Sequence, residues 1–508
     1  MMTEDQSEVV SFLSDAGSYG LSGAVETMET HISRIFLVGN RAFKMKRAVK
    51  LPYVDFSTAD RRLGACEKEV AFNSAGAPGL YLGARRVSRM SDGRLAFSDE
   101  GQLRDAVVEM RRFDQENLAD RMATAGRLTP ALMTDIARMI AAFHATAPVI
   151  HAGGGAANIE AVLSINEAGF ATSHVFDPGM VKAISRRFRD GLAIHAARLD
   201  RREAEGKVRR CHGDLHLRNI CVIDGQPLLF DCIEFNDQIA TVDTLYDLAF
   251  LLMDLWHRGF RPYANLVANR YLDQSENEDG FVLLPFLMAI RAAVRAHVTA
   301  TQIEEGSSRA DALVDEAKSY FSLASELLGE APAQLVAIGG LSGSGKTTLA
   351  EALAPEIGMP PGARIIESDR VRKAIRGVSA ETRLDATAYR PEMSERVYRE
   401  MARRAGDILA DGGSVVADAV FDRPENRALM ETVAAGAHVC LDGIWLETHP
   451  AVLYDRVAAR HGGPSDADVS VLALQLGRTL APIAWCKLDA GLPIPSLVQD
   501  ILKRPAED

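Results

Sequence analysis

Short strand-like runs of apolar residues recur through residues 31–112, at Ile35–Val38, Ala42–Met45, Leu95–Ser98 and Ala106–Met110. Residues 128–205 and 241–328 read mainly as helix. The longest strongly apolar stretch, Phe281–Ile290, contains Pro285 and stops at Arg291. That is about half of a ~20-residue membrane span, so a buried helix is expected. Ser307–Leu328 reads as an amphipathic helix, stopped by Gly329 and Pro332. Beyond it, Leu335–Ile338, Arg364–Glu367 and Ser414–Ala417 read as buried parallel strands. The pattern predicts a small sheet-bearing lobe at 1–112, a larger helical lobe at 113–329 and a third unit at 333–508.

The length of 508 residues agrees with three units at about 150 residues each. Lys plus Arg is 57 and Asp plus Glu is 69, a formal charge of −12. Such a chain has no global attraction to nucleic acid or anionic membrane, and neither partner is expected. Six cysteines without a C-x-x-C pair do not make a disulfide framework. The N-terminus lacks the basic and apolar regions of a signal peptide. A reducing cytoplasm is the expected location.

The strongest local motif is Gly340-Leu-Ser-Gly-Ser-Gly345-Lys346-Thr347, which fits G-x-x-x-x-G-K-[ST] in full. An apolar strand precedes it and a helical stretch follows. Glycines let the backbone turn its N–H groups inward, and with the helix N-terminus these form a phosphate site. Gly340, Ser342, Gly343, Ser344, Gly345, Lys346, Thr347 and Thr348 are therefore candidate nucleotide-binding residues, with Thr347 also a Mg²⁺ ligand. Asp369, after the second strand, is placed to orient or deprotonate an acceptor hydroxyl, although it also reads as a helix cap. Asp418, at the end of the third strand, is a candidate to hold the Mg²⁺ water shell or to help position substrate. Arg456 and Arg460 lie four apart on an expected helix and either close on the transferring phosphate or form a solvated face.

A second constellation lies upstream. His212-Gly-Asp214-Leu-His216-Leu-Arg-Asn219 has the D-x-x-x-x-N spacing of a kinase catalytic loop. Asp214 would take the acceptor proton and Asn219 would hold a magnesium. Asp231, at the end of the strand Pro227–Phe230, stands twelve residues on as a second metal carboxylate. Lys44 and Lys46 share a strand face, and Glu67 and Glu69 lie on an expected helix. Lys44 with Glu69 is the preferred anchor for the inner phosphates, with Lys46 and Glu67 as substitutes. Glu109 and Met110 fall where a hinge would offer backbone groups to adenine. Zinc at Cys211, Cys221, Cys232 and the nearby histidines is set aside because no pair has close-ligand spacing. Asp247 reads as a brace for the catalytic loop.

Residues 333–500 resemble the P-loop kinases that include gluconate kinase, polynucleotide kinase and the zeta-type toxins. The shared marks are the phosphate loop, Asp369-x-x-Arg372-Lys373, Val415–Asp418 and Ser465-Asp466-Ala467-Asp468. This resemblance implies that Asp369 is a general base and Arg372 a substrate-side cation. Residues 25–300 resemble the aminoglycoside and choline phosphotransferases, on the 212–219 loop, Phe230-Asp231-Cys-Ile-Glu234-Phe235, Tyr246-Asp247-Leu-Ala-Phe250 and Ala142-Phe-His144-Ala. No G-x-G-x-x-G precedes Lys44, as in those small-molecule enzymes. In this order the halves match the bifunctional aminoglycoside phosphotransferase/ATP-binding proteins of bacteria. The resemblance implies an α+β protein-kinase-like bilobal domain followed by an α/β P-loop NTPase domain with a parallel sheet. The expected activity is ATP- and Mg²⁺-dependent phosphoryl transfer to hydroxyls of small molecules. The remaining readings are a regulatory ATP-binding module upstream of one P-loop enzyme, or a kinase directed at protein or nucleic acid.

Overall fold

The computed structural model describes residues 4–30, 32–51, 54–151, 153–304, 310–459, 463–478 and 481–504. The chain forms two compact units, residues 1–162 with 192–254, and residues 163–191 with 255–508.

The first unit is built on a six-stranded antiparallel sheet. Its strands are β1 (Glu26–Glu29), β2 (Ser33–Val38), β3 (Arg41–Lys46), β4 (Tyr81–Arg89), β5 (Leu95–Phe97) and β6 (Gln102–Arg111), in the order β1-β2-β3-β6-β4-β5. Helix α1 (Ala59–Asn73) follows β3, started by the Thr58 side chain, which accepts from the Arg61 amide. Alternation along β3 sorts its side chains between two cores. Phe43 and Met45 pack with Phe36, Val38 and Val107. Ala42 faces the other way, among Cys66, Tyr81 and Val108. Lys44 and Lys46 share the Ala42 side, toward α1. After helix α2 (Pro130–Thr146) comes the hairpin of β7 (Ile220–Ile223) and β8 (Gln226–Leu229). Helix α3 (Thr244–His257) follows.

The second unit contains helices α4 (Arg261–Asp273) and α5 (Leu284–Glu304) and a five-stranded sheet. Glu278–Ile303 is long and apolar enough to cross a membrane, but 72% of its most apolar window is buried inside the protein. The apolar run thus extends well past Arg291, because that side chain is itself only 4% exposed. The described part of the amphipathic stretch near residue 310 is helical from Ala310 to Leu327; residues 307–309 of that expectation lie outside the described residues. The sheet comprises β9 (Leu335–Gly340), β10 (Arg364–Glu367), β11 (Val415–Asp418), β12 (Leu441–Glu447) and β13 (Cys486–Asp489), ordered β10-β11-β9-β12-β13 with every pair parallel. Helices α6 (Lys346–Leu353), α7 (Ser368–Ile375), α8 (Pro450–Ala458) and α9 (Val469–Leu476) start beyond strand ends or follow them. The central strands β9 and β11 are buried along their whole length and mostly apolar, as a sheet covered on both faces requires.

The edge strand β10 is closed by side chains of α4. Asn265 Nδ2 donates to Ala363 O at 3.0 Å, and Asn269 Oδ1 accepts from Ile365 N at 2.8 Å. These bonds satisfy backbone groups that a bare sheet edge would leave to solvent.

Candidate active sites

In the first unit, Lys44 Nζ lies 2.8 Å from Glu69 Oε1 and also contacts Asp231. Lys46 Nζ lies 2.5 Å from Glu69 Oε2 and contacts Glu234. The order Asp231–Lys44–Glu69–Lys46–Glu234 alternates in sign, and Glu69, Lys46 and Glu234 are buried. Burial alone would lower the Lys44 pKa, but Asp231 and Glu69 outweigh it and hold the ammonium well above its usual range. Burial pushes the Glu69 carboxyl up, and the two lysines overcome this and keep it ionised. For Glu234 burial prevails and raises the pKa, with Lys46 only partly offsetting it. Sequence reasoning paired Lys44 with Glu69 but held Lys46 only as its substitute. It quoted Glu234 only within the 230–235 motif and gave it no role, because its partner is 188 residues away.

Asn219 Nδ2 donates to Asp214 O at 2.9 Å and to Asp214 Oδ2 at 3.0 Å. With its nitrogen so held, the amide oxygen of Asn219 is turned away from Asp214. His216 Nε2 is 3.3 Å from Asp214 Oδ2. Asp231 holds φ at +63°, a strained setting for a residue with a side chain, and its amide donates to Tyr81 Oη at 3.0 Å. The Asp247 carboxylate accepts from the amides of His212 at 3.1 Å and Gly213 at 2.8 Å, and lies 3.1 Å from His144 Nε2. It therefore braces the 212–219 loop. His144, Cys211 and Asp247 put ligand-type atoms within 4.8 Å of one another, a grouping invisible in sequence spacing.

Glu109 and Met110 do not form a free hinge. They stand inside β6, in register with Phe43 and Ala42 on one side and Gly83 and Tyr81 on the other. An interior strand spends its backbone groups on its two neighbours. The ladder ends where Arg111 N donates to Leu80 O and Arg112 N to Asn40 O.

In the second unit, the phosphate loop joins β9 to α6. Gly340, Gly343 and Gly345 have φ of 146°, 84° and 89°. A Cβ on Gly343 would sit 2.9 Å from Leu453 O. Lys346 Nζ donates to Leu341 O at 3.1 Å, and Thr347 Oγ1 donates to Asp418 Oδ2 at 2.6 Å. The Ser344 hydroxyl is buried with no partner among the described residues. Ser342 N donates to Gln475 Oε1 at 2.9 Å, tying the loop to α9. Thr348 is exposed on the outer side of α6. Burial raises the Asp418 pKa, against the Lys346 charge and the Thr347 hydrogen bond. Glu367, in register with Asp418 on the neighbouring strand, is pushed up to about 8 by burial and by the Asp418 charge. It too was given no role by sequence reasoning.

Asp369 lies in the first turn of α7, where burial raises its pKa and a Ser465 hydrogen bond, Arg372 and Lys346 act against the rise. Arg372 Nη1 donates to Ala388 O at 2.8 Å, its guanidinium lies 4.8 Å from the Tyr389 ring centre, and its Nε is buried without a partner among the described residues. Asp466 accepts from Lys373 Nζ at 3.2 Å, Leu384 N at 3.0 Å and Tyr389 Oη at 2.6 Å. Arg456 is in the last turn of α8 and donates to Ala490 O at 3.1 Å. That helix runs to Ala458, and Arg460 lies outside the described residues. A cavity of about 520 Å³, lined by Leu341, Trp445, Glu447, Lys487 and Asp489 among others, opens at the carboxyl ends of β12 and β13.

The phosphotransferase enzyme family model matches residues 83–283, and the AAA domain model matches residues 335–482. Uncharacterized protein Rv2004c of Mycobacterium tuberculosis is 31% identical over 464 residues, covering 89% of this chain and 90% of that protein. The chain belongs to the aminoglycoside phosphotransferase/ATP-binding protein family. This family joins an aminoglycoside-phosphotransferase-type domain to a P-loop domain of the kinase type, and its two domains make the chain a phosphotransferase. Two solved structures are similar to parts of it. A sugar kinase from Janibacter sp. HTCC2649 has 24% identity and a TM-score of 0.26, covering 34% of this chain and 93% of that one. A choline/ethanolamine kinase family protein from Mesorhizobium loti has 14% identity and a TM-score of 0.39, covering 61% and 93%.

Proposed function

We propose that the protein carries two Mg·ATP sites, each transferring a γ-phosphoryl group to a hydroxyl of a small molecule. The observation that carries the reading is Lys44 held between Glu69 and Asp231, with the Asp214–Asn219 pair supplied by the following loop. An ammonium fixed by a buried carboxylate suits the inner phosphates, and Asp214 suits the acceptor proton. In the second unit the orphaned Ser344 hydroxyl and the three left-handed glycines suit a phosphate cradle. The cavity beside Leu341 and Trp445 suits the base of the nucleotide.

The donors fit magnesium, a hard cation that prefers oxygen. Asn219 and Asp231 would hold it in the first unit, and Thr347 with Asp418 in the second. When bound, it would neutralise charge on the phosphate oxygens. The chain's own residues do the rest. Lys44 and Lys346 position the triphosphate, while Asp214 and Asp369 receive the proton as the acceptor oxygen bonds to phosphorus and the bond to ADP breaks. Arg372, with one unpartnered nitrogen, faces the acceptor side.

The experiment is ATP turnover by the full chain with fractionated metabolites, comparing Asp214→Ala and Lys346→Ala with the parent. Each variant should remove a different phosphorylated product. If neither changes any product, the two-site reading fails.

A further inference from the structure

Helix α4 lies inside the phosphotransferase-family match and outside the AAA-domain match, yet it reaches the phosphate-loop helix. Arg270, 4% exposed, pairs with Glu351 of α6 through one nitrogen and lies 3.3 Å from Asp273 through another. Glu351 follows Thr347 by four residues, which puts both on one face of α6. Helix α4 also bonds the edge strand β10 through Asn265 and Asn269, and β10 runs in register with β11, which ends in Asp418. An opposite-charge pair from outside the loop motif thus stands one turn along α6 from Thr347, whose hydroxyl donates to Asp418. Neither belongs to G-x-x-x-x-G-K-[ST].

We propose that Arg270 is a positioning residue for the phosphate-loop site: by holding Glu351 it sets the charge balance beside Thr347 and Asp418, and so the affinity of that site for a divalent cation. This rests on the reading of the loop as a Mg·ATP site. Removing Glu351 takes a negative charge from the cation's surroundings and weakens its binding. Removing Arg270 takes a positive charge away, leaves Glu351 uncompensated and strengthens it. Loosened structure would impair both variants alike, so the opposed signs identify the electrostatic role.

The test titrates Mg²⁺ into the full chain with a fluorescent ATP analogue, in an Asp231→Asn background that removes a cation ligand from the first unit. Lys346→Ala defines the signal due to the phosphate loop. Glu351→Gln should raise the half-saturating Mg²⁺ by about threefold to tenfold, and Arg270→Gln should lower it by a similar factor, the scale of one charge a few ångströms away in a partly screened site. The double variant should return to within about twofold of the parent, as should Arg270→Lys. Because Glu351 is half-exposed, its variant remains informative if Arg270→Gln fails to fold. Equal or same-sign shifts, or none, overturn the positioning role alone. Absence of any Lys346-dependent binding in the parent overturns the loop reading and this inference together.

Discussion

Arg364 is fully buried, and its Nη2 donates to Asp273 Oδ1 at 2.6 Å. The guanidinium also donates to Glu278 Oε1 at 2.9 Å and Asn269 Oδ1 at 2.8 Å. Arg364 opens the edge strand of the parallel sheet, whereas all three acceptors precede Arg364 by some ninety residues of chain. Asp273→Ala should destabilise the protein by about 3–5 kcal/mol, because it leaves a buried cation with less compensation. Urea unfolding of the full chain measures this.

The same cluster predicts which fragments fold. A fragment of residues 333–508 leaves Arg364 without those partners and exposes the β10 edge. It should be insoluble or partly unfolded, whereas the full chain, which keeps residues 163–191 and 255–332 of the same unit, should melt cooperatively. Soluble yield and circular-dichroism melts of the fragment and the full chain decide the matter.

Strong acid should weaken this cluster. Burial alone would raise the Asp273 pKa, but Arg364, Arg370 and Arg270 outweigh it and hold it at about 2 against 3.8 in an open chain. The unfolded state then binds more protons than the folded state in this window, so stability is complete above about pH 4 and is lost as pH falls toward 2. Asp273→Asn should flatten that limb of the stability profile, read as Tm against pH.

Glu367 should act in the opposite sense. With its pKa pushed from 4.5 up to about 8, the folded state keeps a proton that the unfolded state releases. Its contribution to stability falls as pH rises from 4.5 to 8. Glu367→Gln should remove that fall and raise Tm more at pH 8 than at pH 5.

Gly343→Ala should disable the phosphate loop. Its φ of 84° disfavours a side chain, and the new Cβ would stand 2.9 Å from Leu453 O, a backbone atom that cannot swing aside. Binding of a fluorescent ATP analogue attributable to Lys346 should drop at least tenfold, an amount of about 1.4 kcal/mol.

For the catalytic loop, Asp214→Ala should lower first-unit turnover by about 10²–10⁴, the scale of lost proton transfer. Lys46→Met should also lower it, although Lys46 lies behind Lys44, because Glu69 would lose one of its two cations. Product formation at saturating ATP measures both.

Much of this protein is written in local sequence. A phosphate loop is contiguous, so its glycines, Lys346 and Thr347 can be recognised from spacing alone. The D-x-x-x-x-N run and the strand-then-aspartate pattern are equally local, and the period of two along β3 puts Lys44 and Lys46 on one face without knowledge of their partners. Tertiary structure decided what those side chains meet. Glu234 and Glu367 acquire their meaning from burial beside charges on other elements, and Lys46 becomes part of a charge chain rather than a spare anchor. Glu109 and Met110 are closed as a hinge by neighbours on both sides of β6. Arg456 spends a guanidinium nitrogen on the Ala490 carbonyl, a partner 34 residues away that no local spacing shows. Arg270 and Arg364 show no motif at all; only long-range packing brings them to Glu351 and Asp273. The physical reason is common to these cases: covalent order determines which chemical groups are available nearby along the chain, whereas charge state and hydrogen-bond partners depend on what is close in space and on how much water has been removed.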